Sequence, residues 1–501
     1  KIRMSVDGAI GKKMKLNFNY DTQATFDFDQ KIKLSFDSEQ FSEDDIIKKI
    51  EAGNVDLPLK SNLIQGSQSL FGLKTELQFG RLRLTALASQ QRSEQNSIKI
   101  ENGASLQEFE LRPEDYDENR HFFVSRFNRE QYEKNLQFLP YVPSPFKITR
   151  MEVWVSEDRP DNRQQTRMVV ALADLGTGRM QDLENPNMTY LPANVPPIYK
   201  VDTLVLPDND VSDFYKNLIA NQNVQDVDKV SRELVTNYNL TGNRDFEIFQ
   251  GRLLNPSEYT YNEKLGYISL NLKLRPNQRM GVVYEYYYNE KPDSVFTVGD
   301  FYGAEQVPSS ADLQQDSCAT GPTKIKFIKM LKSSVQNPTL KSWDLMMKNI
   351  YSIGAYQVSP EEFTMNVVYM NDSTGNYINY FPEGANPDQG GLNGRLFLSV
   401  MGLDNLNHQL EPYPDGSFDF VSDYTIIPSQ GRIIFPVLEP FGSHLADQLA
   451  TQPSLIDKYV FQELYDSTLT TASQTAEKNK YRLTGSYRSS AGSEAVRRRR
   501  R

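Results

Sequence analysis

Apolar and polar residues alternate strictly along several blocks of this chain, and a period of two restricts those blocks to β-strands with one apolar and one polar face. From Met14 to Tyr20, Met14, Leu16, Phe18 and Tyr20 fall on one side and Lys15, Asn17 and Asn19 on the other. The pattern returns from Thr25 to Phe36, where Phe26, Phe28, Ile32, Leu34 and Phe36 are separated by Asp27, Asp29, Lys31, Lys33 and Ser35, with a turn expected near Asp29-Gln30-Lys31. A third block sets Leu73, Thr75, Leu77 and Phe79 against Lys74, Glu76 and Gln78. After Gly80-Arg81 it resumes with Leu82, Leu84, Ala86 and Ala88, which predicts a hairpin. Such strands suit either a half-buried soluble sheet or an outer-membrane barrel with a wet lumen, and periodicity does not choose between them.

The chain has 501 residues and a mean hydropathy of −0.58. It contains no run of the roughly 20 mostly apolar residues that a spanning helix needs, so any membrane role has to use strands. Its aromatics, Phe 27 and Tyr 27 against two Trp, suit strands that pack on sheets or meet a membrane interface. Acids and bases are interspersed, with a net charge of −10, which leaves no broad basic surface for nucleic acid. One cysteine, Cys318, excludes an intrachain disulfide framework, and with only His121, His408 and His444 a clustered zinc site is not expected. The chain starts at Lys1 inside an alternating pattern, without a leader-like segment, and reads as an internal piece of a longer protein. Arg497 to Arg501 repel one another and bury nothing, and read as an appended or cut end, with a basic arm as the alternative.

Between the strands, Ser42-Glu43-Asp44-Asp45 before Ile46 to Ile50 predicts a short helix capped by Ser42 and stopped near Gly53. A second helix is expected near Arg129 to Leu139, with Tyr132, Leu136 and Leu139 at helical spacing before Pro140. After Pro143-Ser144-Pro145, Ile148 to Val155 and Met168 to Ala173 read as strands of a separate β-rich insertion, followed by the Pro-rich stretch Pro192 to Pro197. Strand-like runs follow at Tyr267 to Leu274 and Gly281 to Tyr288. The tyrosines of the second, Tyr284, Tyr286, Tyr287 and Tyr288, suit a membrane-interface girdle or a ladder on a soluble sheet. Thr339 to Tyr351 is a candidate short helix, Phe363 to Tyr369 alternates again, and Ser454 to Lys480 is the longest candidate helix. No repeat of about 20 to 50 residues is visible, which disfavours solenoids and propellers.

Chemistry-bearing patterns are weak. The three histidines lie outside recognisable catalytic motifs. Glu114, Asp115, Asp117 and Glu118 offer carboxylates, but such a run is ordinarily a solvated loop. Asp415-Gly416-Ser417-Phe418-Asp419 offers oxygen ligands beside a turn glycine without the full pattern of a calcium loop, so a plain turn is preferred. Gly299-Asp300 and Gly402-Leu403-Asp404 are isolated turn signals rather than phosphate cradles. No catalytic residues, cofactor or metal are expected.

Two stretches, Ile50-Glu51-Ala52-Gly53-Asn54-Val55 and LIQGSQSLFGLKTELQF over Leu63 to Phe79, resemble the SprA/Sov family of outer-membrane translocons. The same family is resembled, in the same order, by DYDENRHFF (Asp115 to Phe123), ITRMEVWV (Ile148 to Val155), WDLMMKNI (Trp343 to Ile350) and GRIIFPVLEPFG (Gly431 to Gly442). The resemblance implies a mainly β fold, part of a very large antiparallel transmembrane β-barrel with β-rich and partly helical insertions. It implies the type IX secretion pore of Bacteroidetes, which in gliding species serves motility, and which exports cargo with a C-terminal signal to the cell surface. The implied partners are that cargo, a PorV-type shuttle barrel, a periplasmic plug protein, a peptidyl-prolyl isomerase and outer-membrane lipid, with no nucleic acid.

Under that reading Met14, Leu16, Phe18, Phe26, Phe28, Ile32, Leu34, Phe36, Leu77 and Phe79 face lipid or inserted domains, and Lys15, Asn17, Asn19, Lys31, Lys33, Lys74 and Glu76 face the lumen. The expected layout is barrel strands with a short helical insertion over 1–100 and a helical or loop insertion over 101–145. A β-rich insertion with strands follows over 146–295, a β-rich segment with a C-terminal helix over 296–480, and a further strand with the arginine tail over 481–501. The mechanism implied is conduction rather than catalysis, with gating by partners that bind alternative states. The competing reading is a soluble cell-surface β-sandwich adhesin or glycan-binding module; a secreted hydrolase would need an acid/base constellation that is not visible.

Overall fold

The alternating blocks pair as the period of two demands. In the computed structural model, which describes residues 3–10, 14–21, 31–36, 47–58, 67–79, 82–89, 98–101, 104–157, 166–179, 182–188, 195–301, 325–361, 363–475 and 478–488, the first six strands form an antiparallel meander. They are β1 (Arg3–Ile10), β2 (Met14–Asp21), β3 (Lys31–Phe36), β4 (Ile47–Pro58), β5 (Ser67–Phe79) and β6 (Leu82–Ser89), each bonded to its sequence neighbours. Register carries one kind of residue across the sheet, because a slip of one would move every position to the other face. One row runs Leu16–Leu34–Ala52–Leu73–Ala88 and another Ile10–Met14–Phe36–Ile50. Between them lies Lys15–Ser35–Glu51–Lys74.

The helix expected from Ser42 to Ile50 is not formed where the chain is described. Ile47–Pro58 is a strand, and Gly53, the expected stop, sits opposite Lys33 and Gly72. A local capping signal of one turn cannot compete with a segment that finds partner strands on both sides. A bulge at Lys48 separates the pairs Ile47–Leu77 and Lys49–Glu76. The proposed cap, Ser42, and the turn residues Asp29 and Gln30 lie outside the described residues.

The chain divides into two units, Lys1–Asn96 and Ser97–Arg501. The second contains a closed barrel of five strands: β7 (Phe146–Ser156), β8 (Thr166–Leu172), β9 (Phe246–Leu253), β10 (Met280–Tyr288) and β11 (Lys326–Lys332). The ring runs β7-β9-β8-β11-β10 and returns to β7. All its pairs are antiparallel except β8 with β11. Every strand contributes to the filling, a cluster of Trp154, Val169, Ala171, Phe249, Val283, Ile328 and Met330 with Ala173. The barrel is therefore a packed core and not a pore. Residues of the opposite parity, such as Val153, Val170, Val282 and Phe327, belong to the larger core outside it. Burial on both faces explains why these strands read as nearly continuous apolar runs. Gly281 lets β10 and β11 close, since a Cβ there would stand 2.5 Å from Ile328 Cδ1 and 2.8 Å from the Lys329 carbonyl oxygen.

The girdle reading of the tyrosines is corrected. Tyr284, Tyr286 and Tyr288 point into the core, with Tyr286 stacked on Phe296 at 5.3 Å and its hydroxyl donating to the Pro207 carbonyl at 2.8 Å. Tyr287, at the alternate position, is exposed. The strand Tyr267–Leu270 is shorter than the expected run to Leu274.

Helix α1 spans Arg126–Leu136, three residues earlier than expected at each end, because Ser125 caps it by accepting from the Asn128 N–H at 3.3 Å. The candidate helix Thr339 to Tyr351 is a 3-10 turn, Lys341–Leu345, leading into the strand Ile350–Ser352. The long helix expected from Ser454 to Lys480 is three short ones, Pro453–Tyr459, Glu463–Asp466 and Leu469–Ser473. The first break comes where Phe461 donates its N–H to Phe441 at 2.7 Å, and Thr468 caps a fresh start by accepting from Thr471 N–H. Behind them a five-stranded sheet runs 377–378, 364–370, 481–488, 104–111 and 98–101. A second core packs on it, including Tyr369, Phe397, Tyr459 and Tyr481.

Candidate functional site

The hairpin β5–β6 carries its apolar residues where solvent or another phase would meet them. Leu73, Phe79, Leu82 and Leu84 are 47%, 49%, 64% and 50% exposed, while Lys74 is 9% exposed. Lys74 Nζ meets Glu76 Oε1 at 3.0 Å along the opposite face. Leu77, paired with Leu84, and Phe79, paired with Leu82, share the apolar face. A sheet half-buried in a soluble core has its aliphatic face covered, whereas here that face is open and, on the opposite one, the Lys74 side chain is 11% and that of Glu76 39% exposed.

By register, Met14, Leu16, Phe18, Ile32, Leu34 and Phe36 occupy the rows continuous with that face, and Lys15, Asn17, Asn19, Lys31 and Lys33 the rows between. Phe26 and Phe28 lie outside the described residues, as does the arginine tail.

In the second unit the acidic run is not simply a solvated loop. Asp117 Oδ2 accepts from Arg432 Nε at 2.8 Å, from Arg120 Nη1 at 3.1 Å and from His121 Nε2 at 3.2 Å. His121 is fully buried, and its Nδ1 lies 2.8 Å from Ser269 Oγ. Burial alone would raise the Asp117 pKa, but the hydrogen bonds from His121 and Arg432 and the charge of Arg120 outweigh it and hold the carboxyl far below the usual carboxylate range. Burial lowers the His121 pKa against the pull of Asp117. An ionised carboxylate only accepts, so the neutral ring donates through Nε2 and accepts a hydrogen bond from the Ser269 hydroxyl at Nδ1. The row Ser269–His121–Asp117 has the residue types of a hydrolytic triad, yet Ser269 and His121 are both buried. Its geometry serves as a pin between the loop after Pro113–Asp115 and the strand Arg432–Ile434. Sequence reasoning missed it because Arg432 lies 315 positions from Asp117.

The turn around Asp415 is closed by its own backbone. Asp404 accepts from the N–H groups of Asp415 and Gly416 at 3.0 Å, and Asp419 from those of Asn405 and Leu406 at 2.6 and 3.2 Å. Burial pushes Asp419 up to about 6. Among the described residues no group of three or more His, Cys, Asp or Glu side chains is placed to hold a metal ion, and no helix is long and apolar enough to cross a membrane.

A family model for SprA N-terminal sequences, described as motility related/secretion protein, matches residues 1–292. The match takes in the whole meander and runs through β10. No curated protein matches the chain.

Proposed function

The chain belongs to the SprA N-terminal family of motility-related/secretion proteins, and from that premise we propose that its meander is a segment of the wall of an outer-membrane protein-conducting channel. The channel exports cargo bearing a C-terminal signal to the cell surface, the work of type IX secretion and gliding motility. The observation that carries this reading is the hairpin β5–β6, whose aliphatic residues are exposed while Lys74 and Glu76 pair on the other face. Lipid on one side and a wet lumen on the other satisfy both faces at once. Two of the six strands, β4 and β5 with 12 and 13 residues, reach the about 9 to 11 residues that a tilted membrane strand needs.

On this reading the six strands close only with further strands of a larger barrel, and the five-stranded barrel, filled by its own side chains, is an insertion that does not itself conduct. The protein is not an enzyme: it offers a polar route that spares a passing polypeptide the cost of desolvation. Gating falls to partners, namely a PorV-type shuttle barrel, a periplasmic plug protein and a peptidyl-prolyl isomerase. The packed cores of the second unit would equally suit a soluble surface adhesin or glycan-binding module, which is the second reading.

Deleting the chromosomal gene for the parent protein in its source bacterium, and fractionating the cells, tests the proposal. Cargo with the C-terminal signal should accumulate in the periplasm; normal delivery to the surface would overturn the channel reading in favour of the adhesin.

A further inference from the structure

We propose that the cavity between the start of α1 and the small barrel binds one carboxylate group, held by Lys329, the Tyr284 hydroxyl and the first N–H groups of the helix. The proposal stands apart from the channel reading and rests on the second unit alone.

The cavity holds about 30 Å³. A single water takes up about 10–15 Å³ of such space, so there is room for about two oxygen-sized atoms. Its walls come from residues 125–127 at the head of α1, from the loop 175–179 that follows β8, and from Tyr284 of β10 and Lys329 of β11. Glycine sets the path of the loop. Gly176 has a left-handed φ of 74°, and a Cβ on Gly178 would stand 2.6 Å from Val205 Cγ1.

Donors converge here without acceptors to match. Tyr284 is 1% exposed, and its hydroxyl faces Ser125 yet makes no hydrogen bond among the described residues. Ser125 Oγ is taken up by Asn128, donating to its Oδ1 at 2.6 Å and accepting from its N–H at 3.3 Å. A buried hydroxyl left without a partner is costly and calls for one. Lys329, also buried, donates to the Ala173 carbonyl, its one hydrogen bond among the described residues, which leaves two ammonium protons for a ligand. The N–H groups of Arg126 and Phe127 have no partner within the helix and carry the positive end of its dipole. Arg126 and Arg179 line the cavity too, each already paired, the first with Asp344 at 3.0 Å and the second with Glu130 at 2.8 Å and Asp182 at 3.0 Å. Asp182 is the one carboxylate in the lining among the described residues. Water alone would leave these donors competing for few acceptors, whereas a carboxylate accepts from all of them. Burial pushes the Lys329 ammonium down against the pull of Asp174, Glu184 and Asp182, and an anion beside it offsets that cost.

The test uses the purified full chain in detergent, dialysed into sodium gluconate, whose anion is too large for the cavity, and titrated calorimetrically with sodium formate, sodium chloride and N-acetylglycine. Formate should bind at one site, and chloride more weakly, because it fills one oxygen position of the two. Tyr284→Phe should weaken formate binding by roughly tenfold or more, as expected for losing one hydrogen bond to a charged acceptor. In gluconate the same variant should melt no lower than the parent, since the hydroxyl it removes has no partner there. N-acetylglycine binding as well as formate would assign the carboxylate to a chain end, and formate binding alone to a free anion; both uphold the site. Absence of formate binding, or binding unchanged by Tyr284→Phe, would overturn the proposal and leave water as the occupant, and chloride binding as tightly as formate would overturn the carboxylate.

Discussion

At the residue scale, the buried ions of the second unit set how its stability answers to substitution and pH. Asp117→Ala strands Arg432, His121 and Arg120 around an empty position, and removing one partner of a buried ion pair costs about 3–5 kcal/mol. Urea unfolding monitored by tryptophan fluorescence should register a loss of that size. His121 has a folded pKa below its unfolded value of 6.5, so its contribution is present above pH 6.5 and is lost as pH falls towards the folded pKa. Asp174 and Asp419, both pushed up to about 6 by burial, act with the opposite sign, losing stability as pH rises from about 4 to 6. The informative quantity is therefore a difference: between pH 7 and 5, His121→Asn should show a shallower fall in Tm than the parent. Lys348 gives a second window, since burial holds its ammonium down at about 8 while its Nζ donates to the Tyr465 carbonyl at 2.9 Å. Its contribution is full above the unfolded value of 10.5 and shrinks as pH falls through 8, so stability rises between them. Lys348→Met should remove up to about 1.4 kcal/mol per pH unit of that slope. None of this was legible in the sequence. Four acids around Tyr116 carry no mark of which one meets Arg432, and a lysine in WDLMMKNI looks like any surface lysine until Trp343 packs 4.6 Å beneath it.

At the scale of elements, strands were more legible than helices, of which α1 stands within three residues of its expected place, and the difference has a physical reason. Period-two alternation at Met14 to Tyr20 and Leu73 to Ala88 records a face held by many neighbours, and both blocks form strands at those positions. The helical signals at Ser42 and Ser454 were local, one cap or one partial stripe, and partner strands or a break at Phe461 override signals that weak. The hairpin β5–β6 offers a direct test of its two faces. Leu84→Arg places a charge on the exposed apolar face, where a membrane strand pays about 2–4 kcal/mol near the bilayer centre, so the parent protein should vanish from the outer-membrane fraction. Gln78→Arg, on the opposite face, should leave it in place. If Leu84→Arg is tolerated as well, lipid does not cover that face. In the small barrel, Gly281→Ala sets a methyl against the Lys329 carbonyl, which cannot swing aside as a side chain would. Overpacking of this kind costs about 1–3 kcal/mol, measurable as a lower urea midpoint.

At the scale of the whole molecule, the three apolar cores found among the described residues have their buried members beyond residue 115, within the second unit. Residues 97–501 expressed alone should therefore unfold cooperatively and resist trypsin without detergent, which size-exclusion chromatography and limited proteolysis would check. The small barrel escaped sequence reading because its closure pairs Phe146 with Tyr288, a match set by distant strands rather than by any local pattern. The open meander has a consequence in time. Within this sequence β1 to β6 precede the second unit, whose about 400 residues take some 20–80 s to translate at roughly 5–20 residues per second. Over that interval the hairpin β5–β6 stands in water with Leu73, Phe79, Leu82 and Leu84 exposed. Under the channel reading such a hairpin needs an escort for at least the time that the second unit takes to be made.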